Sequence, residues 1–209
     1  MSGDAKQTLG TLLFPGFELL DVFGPLELFG HLQDRLRLVM VGPSAGGVKS
    51  AQGPEAIAEF GLDDAPALDL LMVPGGIGTR TAVNEPALIE WIRARAAASE
   101  VVMSVCTGAA LLARAGVLDG RRATTNKRSF AWVESQGPKV EWVRRARWVR
   151  DGNVVTSAGV SAGMDMTLAV VADLYGARAS EELALVAEYE AHRDPAWDPF
   201  AARHGLVAE

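Results

Sequence analysis

The stretch Glu100-Val-Val-Met-Ser-Val-Cys-Thr-Gly-Ala-Ala-Leu-Leu-Ala-Arg-Ala-Gly116 decides how this 209-residue chain is read. It opens as an apolar run with β-branched Val101, Val102 and Val105, the pattern of a strand buried on both faces. The period then changes. Ala109, Leu111, Leu112 and Ala115 fit a short helix that stops at Gly116, where a left-handed cap is expected. Cys106, the only cysteine in the chain, falls at the junction.

A sharp strand-to-helix turn pushes its central side chain up at the carboxyl edge of a sheet. Ser104 and Gly108, two places to either side, are small enough for a Ser-x-Cys-x-Gly form of the nucleophile elbow. The helix N-terminus beneath the sulfur favours thiolate and predicts a lowered pKa. The other reading of the position is a buried cysteine acting as a small hydrophobe.

Working outward, Thr8–Phe14, Arg35–Val41 and Leu68–Val73 read as strands, the last running into Pro74-Gly75-Gly76-Ile77-Gly78. Residues 18–30 suggest a short helix, with Asp21 as its N-cap and Pro25 in or near its first turn. Pro86–Ser99 carries an apolar helical stripe of Leu88, Ile89, Ile92 and Ala96. The runs Trp142–Trp148 and Asn153–Thr156 flank Asp151-Gly152, a hairpin signal. Helices are expected over Ser161–Tyr175 and Ala179–Glu190. Strands alternating with helices predict an α/β fold with a mostly parallel, doubly wound sheet, and ligands then bind outside the carboxyl ends of its strands.

Three loops leave such ends: the one with Asp21, the glycine cluster, and the Cys106 turn. Gly75 and Gly76 let backbone approach a ligand with N–H groups facing developing negative charge, and the Thr107 amide is the second donor of an oxyanion hole; a plain tight turn is the alternative. Asp21 is the acid among these loops that can meet the sulfur. A carboxyl kept dry beside a thiol has a raised pKa and exchanges protons.

Composition bounds the function. The chain is 49% hydrophobic and 22% charged, with net charge −6 and pI near 5.2, which argues against nucleic acid as a partner. One cysteine excludes an internal disulfide or an all-Cys metal cluster and suits a reducing, cytoplasmic setting. Residues 1–8 show no signal-peptide pattern, and no window reaches the roughly 18 apolar residues of a membrane span. A single domain over 1–209 is expected, with 1–7 and 195–209 as peripheral tails. Arg144, Arg145, Arg147 and Arg150 with Trp142 and Trp148 read as a solvated strand face rather than a nucleic-acid patch. Glu188, Glu190, His192 and Asp194 match no metal-ligand spacing.

In order along the chain, Pro74-Gly75-Gly76, Ser104-Val-Cys106-Thr107-Gly108, Leu118-Asp-Gly-Arg-Arg-Ala-Thr-Thr125 and Ser161-Ala-Gly-Met-Asp165 resemble the ThiJ/PfpI superfamily, which is glutamine amidotransferase-like. Leu20-Asp21-Val-Phe-Gly-Pro25 together with Cys106-Thr107-Gly108 resembles its isonitrile hydratase branch. The resemblance implies a flavodoxin-like three-layer sandwich, a homodimer, a small-molecule substrate, and neither metal nor organic cofactor. It implies Cys106 as nucleophile, Asp21 as acid–base partner, and oxyanion donors at the Gly76 and Thr107 amides. Many relatives carry histidine where this chain has Asn126. Asparagine is no base, which speaks against a PfpI-type peptidase and leaves Asn126, with Gly75, as a substrate-binding residue.

The expected activity is addition of water to a small isonitrile through a Cys106 thioimidate, giving an N-formamide. The rivals are a glyoxalase-like or deglycase-like enzyme on reactive carbonyls, a redox-sensing cysteine, and the ligand-sensing half of an AraC-type regulator. The last needs about 100 further residues for DNA binding, and about 20 follow the final predicted helix.

Overall fold

The computed structural model describes residues 6–208, so residues 1–5 and Glu209 of the expected tails lie outside the described residues. In chain order the elements are β1 (Gln7–Leu12), α1 (Leu19–Gly30), β2 (Leu36–Val41), β3 (Gly46–Lys49), β4 (Glu55–Ala58), β5 (Leu70–Val73), α2 (Thr79–Ala82), α3 (Pro86–Ala98) and β6 (Val101–Ser104). There follow α4 (Gly108–Arg114), β7 (Arg122–Ala123), α5 (Phe130–Gln136), β8 (Glu141–Trp142), β9 (Trp148–Asp151), β10 (Val154–Ser157), α6 (Ala162–Tyr175), α7 (Ala177–Val186) and α8 (Phe200–Arg203).

The main sheet runs β2-β1-β5-β6-β10-β9. Its first five strands are parallel and β9 closes one edge antiparallel to β10. Every residue of β5, β6 and β10 is buried, so β5 reads as an unbroken apolar run and the others turn polar only at their carboxyl ends, at Ser104 and at Thr156 and Ser157. Successive residues nevertheless serve opposite faces. Leu71, Val73 and Val102 pack with Leu88, Ile92 and Leu111 from α3 and α4, whereas Leu70, Met72 and Met103 pack with Phe29, Met166 and Leu183 from α1, α6 and α7. The result is a three-layer α/β sandwich. Among the described residues no helix is long and apolar enough to cross a membrane.

The stretch at 100–116 folds as its pattern requires. At the end of α4 the Val117 amide donates to the Leu112 carbonyl and the Gly116 amide to that of Ala113, with Gly116 at φ +77, a Schellman closure.

Three sequence expectations need correction. Asp21 does not cap α1: Glu18 holds the cap position and Asp21 lies in the first turn, while Pro25 sits inside the helix. Proline has no N–H for the Asp21 carbonyl four residues earlier, so the helix forgoes one bond there. The run Trp142–Trp148 is not one strand either. Trp142 belongs to β8, which pairs with β7, and β9 begins only at Trp148. The hairpin turn is Gly152-Asn153 between paired Asp151 and Val154, with Gly152 at φ +59. Finally, Arg147 is not solvated: it is buried and its Nε donates to Asp165 Oδ2 at 2.6 Å. Tyr189 Oη and the His192 amide donate to the other oxygen of Asp165, both at 2.9 Å. A buried guanidinium requires such a partner, and only the fold brings α6 to it.

The segment after residue 195 is tied down by similar means. The Arg147 amide donates to the Pro195 carbonyl, the Arg147 guanidinium lies 5.2 Å from the Trp197 ring centre, and that ring stacks on His192 at 3.7 Å.

Candidate active site

Cys106 sits between β6 and α4 with φ +55, a left-handed conformation that costs a non-glycine residue about 1–2 kcal/mol. The turn is held from every side. The Cys106 amide donates to the Ala158 carbonyl at 3.2 Å, Thr125 Oγ1 donates to the Cys106 carbonyl at 2.7 Å, and the Gly108 amide closes back on Val105 at 2.9 Å. Gly108 is obligatory for space, because a Cβ there would overlap the Val73 carbonyl oxygen. The sulfur-bearing residue is 6% exposed and faces a cavity of about 350 Å³ bordered by Glu18, Gly76, Thr107, Asn126, Arg128 and Val160.

Asp21 stands behind the sulfur with no exposed surface. Its Oδ2 accepts the Gly75 amide hydrogen at 2.8 Å, and its Oδ1 meets no N–H or O–H group. Burial pushes its pKa up to about 8; the Gly75 amide opposes this, the Glu18 charge adds to it, and the Cys106 thiol opposes it weakly. A Cβ on Gly75 would stand 2.5 Å from the Thr107 nitrogen and 2.9 Å from Asp21 Oδ2, so only glycine lets the three groups converge.

The expectation of a low-pKa thiolate is reversed. Burial pushes the Cys106 thiol well up, and the charges of Asp21 and Glu18 push the same way. The amide and hydroxyl of Thr107 pull it down, but the seven-residue α4 does not outweigh a dry site shared with two acids. Both shifts act toward the protonated forms, a thiol beside a carboxyl with pKa about 8.

The glycine donors also differ from expectation. The Gly75 amide is given to Asp21 and the Gly76 amide to Thr107 Oγ1 at 3.0 Å. Thr107 Oγ1 is further tied to Thr79 Oγ1 at 3.2 Å. The Thr107 amide is the donor that faces the sulfur. Asn126 reaches the site from the far side: its Oδ1 accepts the Ser129 amide at 3.0 Å, which aims Nδ2 inward. A Cβ placed on Gly159 would overlap that Nδ2 and stand 3.2 Å from Cys106 Sγ, so the two groups flank one point.

The fold thus brings together Cys106, Asp21, Gly75, Gly76, Thr107 and Asn126. Sequence reasoning missed Glu18, whose charge bears on both titrating groups, and Thr79, which orients Thr107. A half-exposed glutamate and a lone threonine carry no sequence signal; only proximity gives them a role. No group of three or more His, Cys, Asp or Glu side chains able to hold a metal is present among the described residues.

Known proteins are similar to this chain in sequence and fold. The sequence signature of the DJ-1/PfpI family matches residues 9–173. A protein named isonitrile hydratase from Pseudomonas putida is 34% identical over 181 residues, covering 87% of this chain and 78% of that protein. The HTH-type transcriptional regulator GbdR of Pseudomonas aeruginosa is 30% identical over 193 residues, 90% of this chain but 52% of the regulator, so the chain spans about half of its length. The crystal structure of a ThiJ/PfpI family protein from Pseudomonas syringae superposes with a TM-score of 0.79 at 31% identity, covering 93% of this chain and 78% of that one. The chain belongs to the DJ-1/PfpI family.

Proposed function

We propose that this DJ-1/PfpI domain is a cysteine-dependent hydratase that adds water to a small isonitrile and releases an N-formamide. The observation that carries the reading is the buried pair of Asp21 and Cys106, a carboxyl that keeps its proton near pH 7 set against a thiol on an elbow. The likeness to a protein named isonitrile hydratase over most of both chains supports it. An isonitrile carbon has a lone pair to protonate and becomes electrophilic once protonated, so it suits an acid and a nucleophile in contact.

In the first step Asp21 gives its proton to the isonitrile carbon, the sulfur bonds to the same carbon, and the thiol proton passes to the Asp21 carboxylate. The product is a thioimidate on Cys106, and Asp21 is again neutral. Water then bonds to the thioimidate carbon, losing a proton to Asp21 as Asp21 protonates the nitrogen. Collapse of the adduct forms the formyl C=O, breaks the C–S bond and returns the hydroxyl proton to sulfur by way of Asp21. One water is consumed, and both residues end as they began. The Thr107 amide and the Asn126 side-chain amide are the donors that steady the sulfur and the incoming oxygen. The reading invokes neither metal nor organic cofactor, and it includes a homodimer in a reducing, cytoplasmic setting.

The test is formamide production from phenyl isocyanide by the purified protein beside Cys106→Ala and Asp21→Asn, read by NMR. Turnover by the wild type that both variants lose supports the reading. No turnover by the wild type, or unimpaired turnover by Cys106→Ala, overturns it. A ligand-sensing role is the second reading, favoured by the match of 90% of this chain to a transcriptional regulator. It predicts isonitrile or carbonyl ligands that bind without being consumed.

A further inference from the structure

A second cleft adjoins the Cys106 cavity. It holds about 330 Å³ and shares three walls with the first: Asn126, Arg128 and Val160. Gly159 lines the second cleft. At Gly159 the Asn126 Nδ2 occupies the place a side chain would take, and a Cβ there would stand 3.2 Å from Sγ, so the Asn126 amide is the wall between this cleft and the sulfur. Beyond the shared walls, Leu20 on α1, Ala158 after β10 and Phe200 at the start of α8 supply carbon, while Ser161 and His204 add polar edges. Leu20 and Phe200 are each 42% exposed, so they face the opening rather than the core.

Lys127 also borders this space, but its charge is consumed. Its Nζ lies 3.1 Å from Asp198 Oδ2 and donates to Thr124 Oγ1 at 2.7 Å, with both partners of the ion pair almost fully buried. The other oxygen of Asp198 accepts the Phe200 and Ala201 amides at 2.8 and 3.2 Å and so starts α8. The ion pair therefore locks α8, and with it the Phe200 ring, beside the residue that follows Asn126.

We propose that this cleft is the subsite for the substituent carried by the substrate's nitrogen, that it takes an uncharged apolar group of ring size, and that Leu20 and Phe200 set this preference. An apolar cavity of roughly 150 Å³ already accommodates benzene, so the cleft has room for a phenyl or cyclohexyl group. The adjoining cavity is left for the reacting carbon and water. The proposal rests on the hydratase reading for its substrate, but the subsite itself is defined by the walls it shares with the Cys106 cavity.

The experiment compares kcat/KM for phenyl and methyl isocyanide in the wild type, Phe200→Ala and Leu20→Trp, the first enlarging the cleft and the second filling it. The phenyl-to-methyl ratio is expected to fall about 10-fold or more in both variants, the range that lost or blocked apolar contacts produce. In parallel, labelling of Cys106 by N-phenyl and N-methyl iodoacetamide at pH 9 is followed by intact mass, each rate divided by that of glutathione. If no isonitrile turns over, yet the N-phenyl reagent labels faster in the wild type and loses that advantage in both variants, the subsite stands and the hydratase reading fails. Ratios that stay at the wild-type value in both variants overturn the subsite, whichever assay reports them.

Discussion

Asp21 Oδ2 accepts the amide hydrogen of Gly75 at 2.8 Å, a bond that joins the first turn of α1 to the loop after β5 and fixes the carboxyl behind the Cys106 sulfur. The Gly75 amide favours the charged form, but burial outweighs it, so the carboxyl is held in place with its pKa pushed up to about 8.

The first consequence is a stability profile. Asp21 has a folded pKa of about 8 against an unfolded value near 3.8, so the native state keeps a proton that the unfolded chain has released between those limits. Stability from this group is full below about pH 4 and is lost as pH rises through about 8, with a slope on the order of 1 kcal/mol per pH unit. Asp21→Asn should flatten that slope and be more stable than the wild type at pH 8–9. Urea denaturation at pH 5, 7 and 9 checks it; parallel slopes in the two proteins would show that Asp21 is not the group responsible.

Activity should follow the same titration. A proton donor with pKa about 8 predicts kcat/KM that holds through neutral pH and declines above about pH 8. A profile that instead climbs through pH 9 would point to thiolate as the limiting species and remove Asp21 as the acid.

The thiol itself should be sluggish. Its pKa is raised by burial first and by the Asp21 charge second, so Cys106 in the wild type reacts slowly with iodoacetamide at pH 7. At pH 9, where Asp21 is largely ionised in the wild type, Asp21→Asn should alkylate several-fold faster because the neighbouring negative charge is gone. Equal rates in the two proteins would contradict the coupling.

Convergence at Gly75 makes it intolerant of a side chain. Gly75→Ala places a methyl 2.5 Å from the Thr107 nitrogen and 2.7 Å from its Oγ1, so the site must open. The expected cost is about 1–3 kcal/mol of stability, with a larger relative loss of activity. Thermal unfolding and the turnover assay measure the two losses side by side.

The Lys127–Asp198 pair should behave as a buried ion pair does. With side chains 3% and 2% exposed, removal of either partner strands the other, and Asp198→Leu or Lys127→Met should each cost about 3–5 kcal/mol. The double variant should recover much of that loss. A double-mutant cycle by chemical denaturation checks this, and simple additivity of the two single losses would rule out the pairing.

Much of this was legible from pattern alone. The valines of Val101–Val105, the small residues around Cys106 and the glycine at 116 are local features, and backbone sterics give each a narrow range of outcomes. The alternation of apolar runs and helical stripes likewise specified the layers. Asp21 lies beside Cys106 as its loop position suggests, but the cap of α1 is Glu18, three positions earlier, a shift of helix boundary that local preference does not resolve. Arg147 read as solvated, and the ion pair of Lys127 with Asp198 left no trace, since its partners lie 71 positions apart in sequence.

The sequence by itself determined the α/β architecture, the elbow and the residue on it, because strand burial, turn sterics and helix termination depend on neighbours within a few positions. Only the tertiary structure decided the protonation of the site. The charge state of Cys106 and Asp21 depends on how much water is excluded and which charges lie nearby, and those neighbours arrive from Glu18, Gly75 and Thr107 on three separate segments of chain.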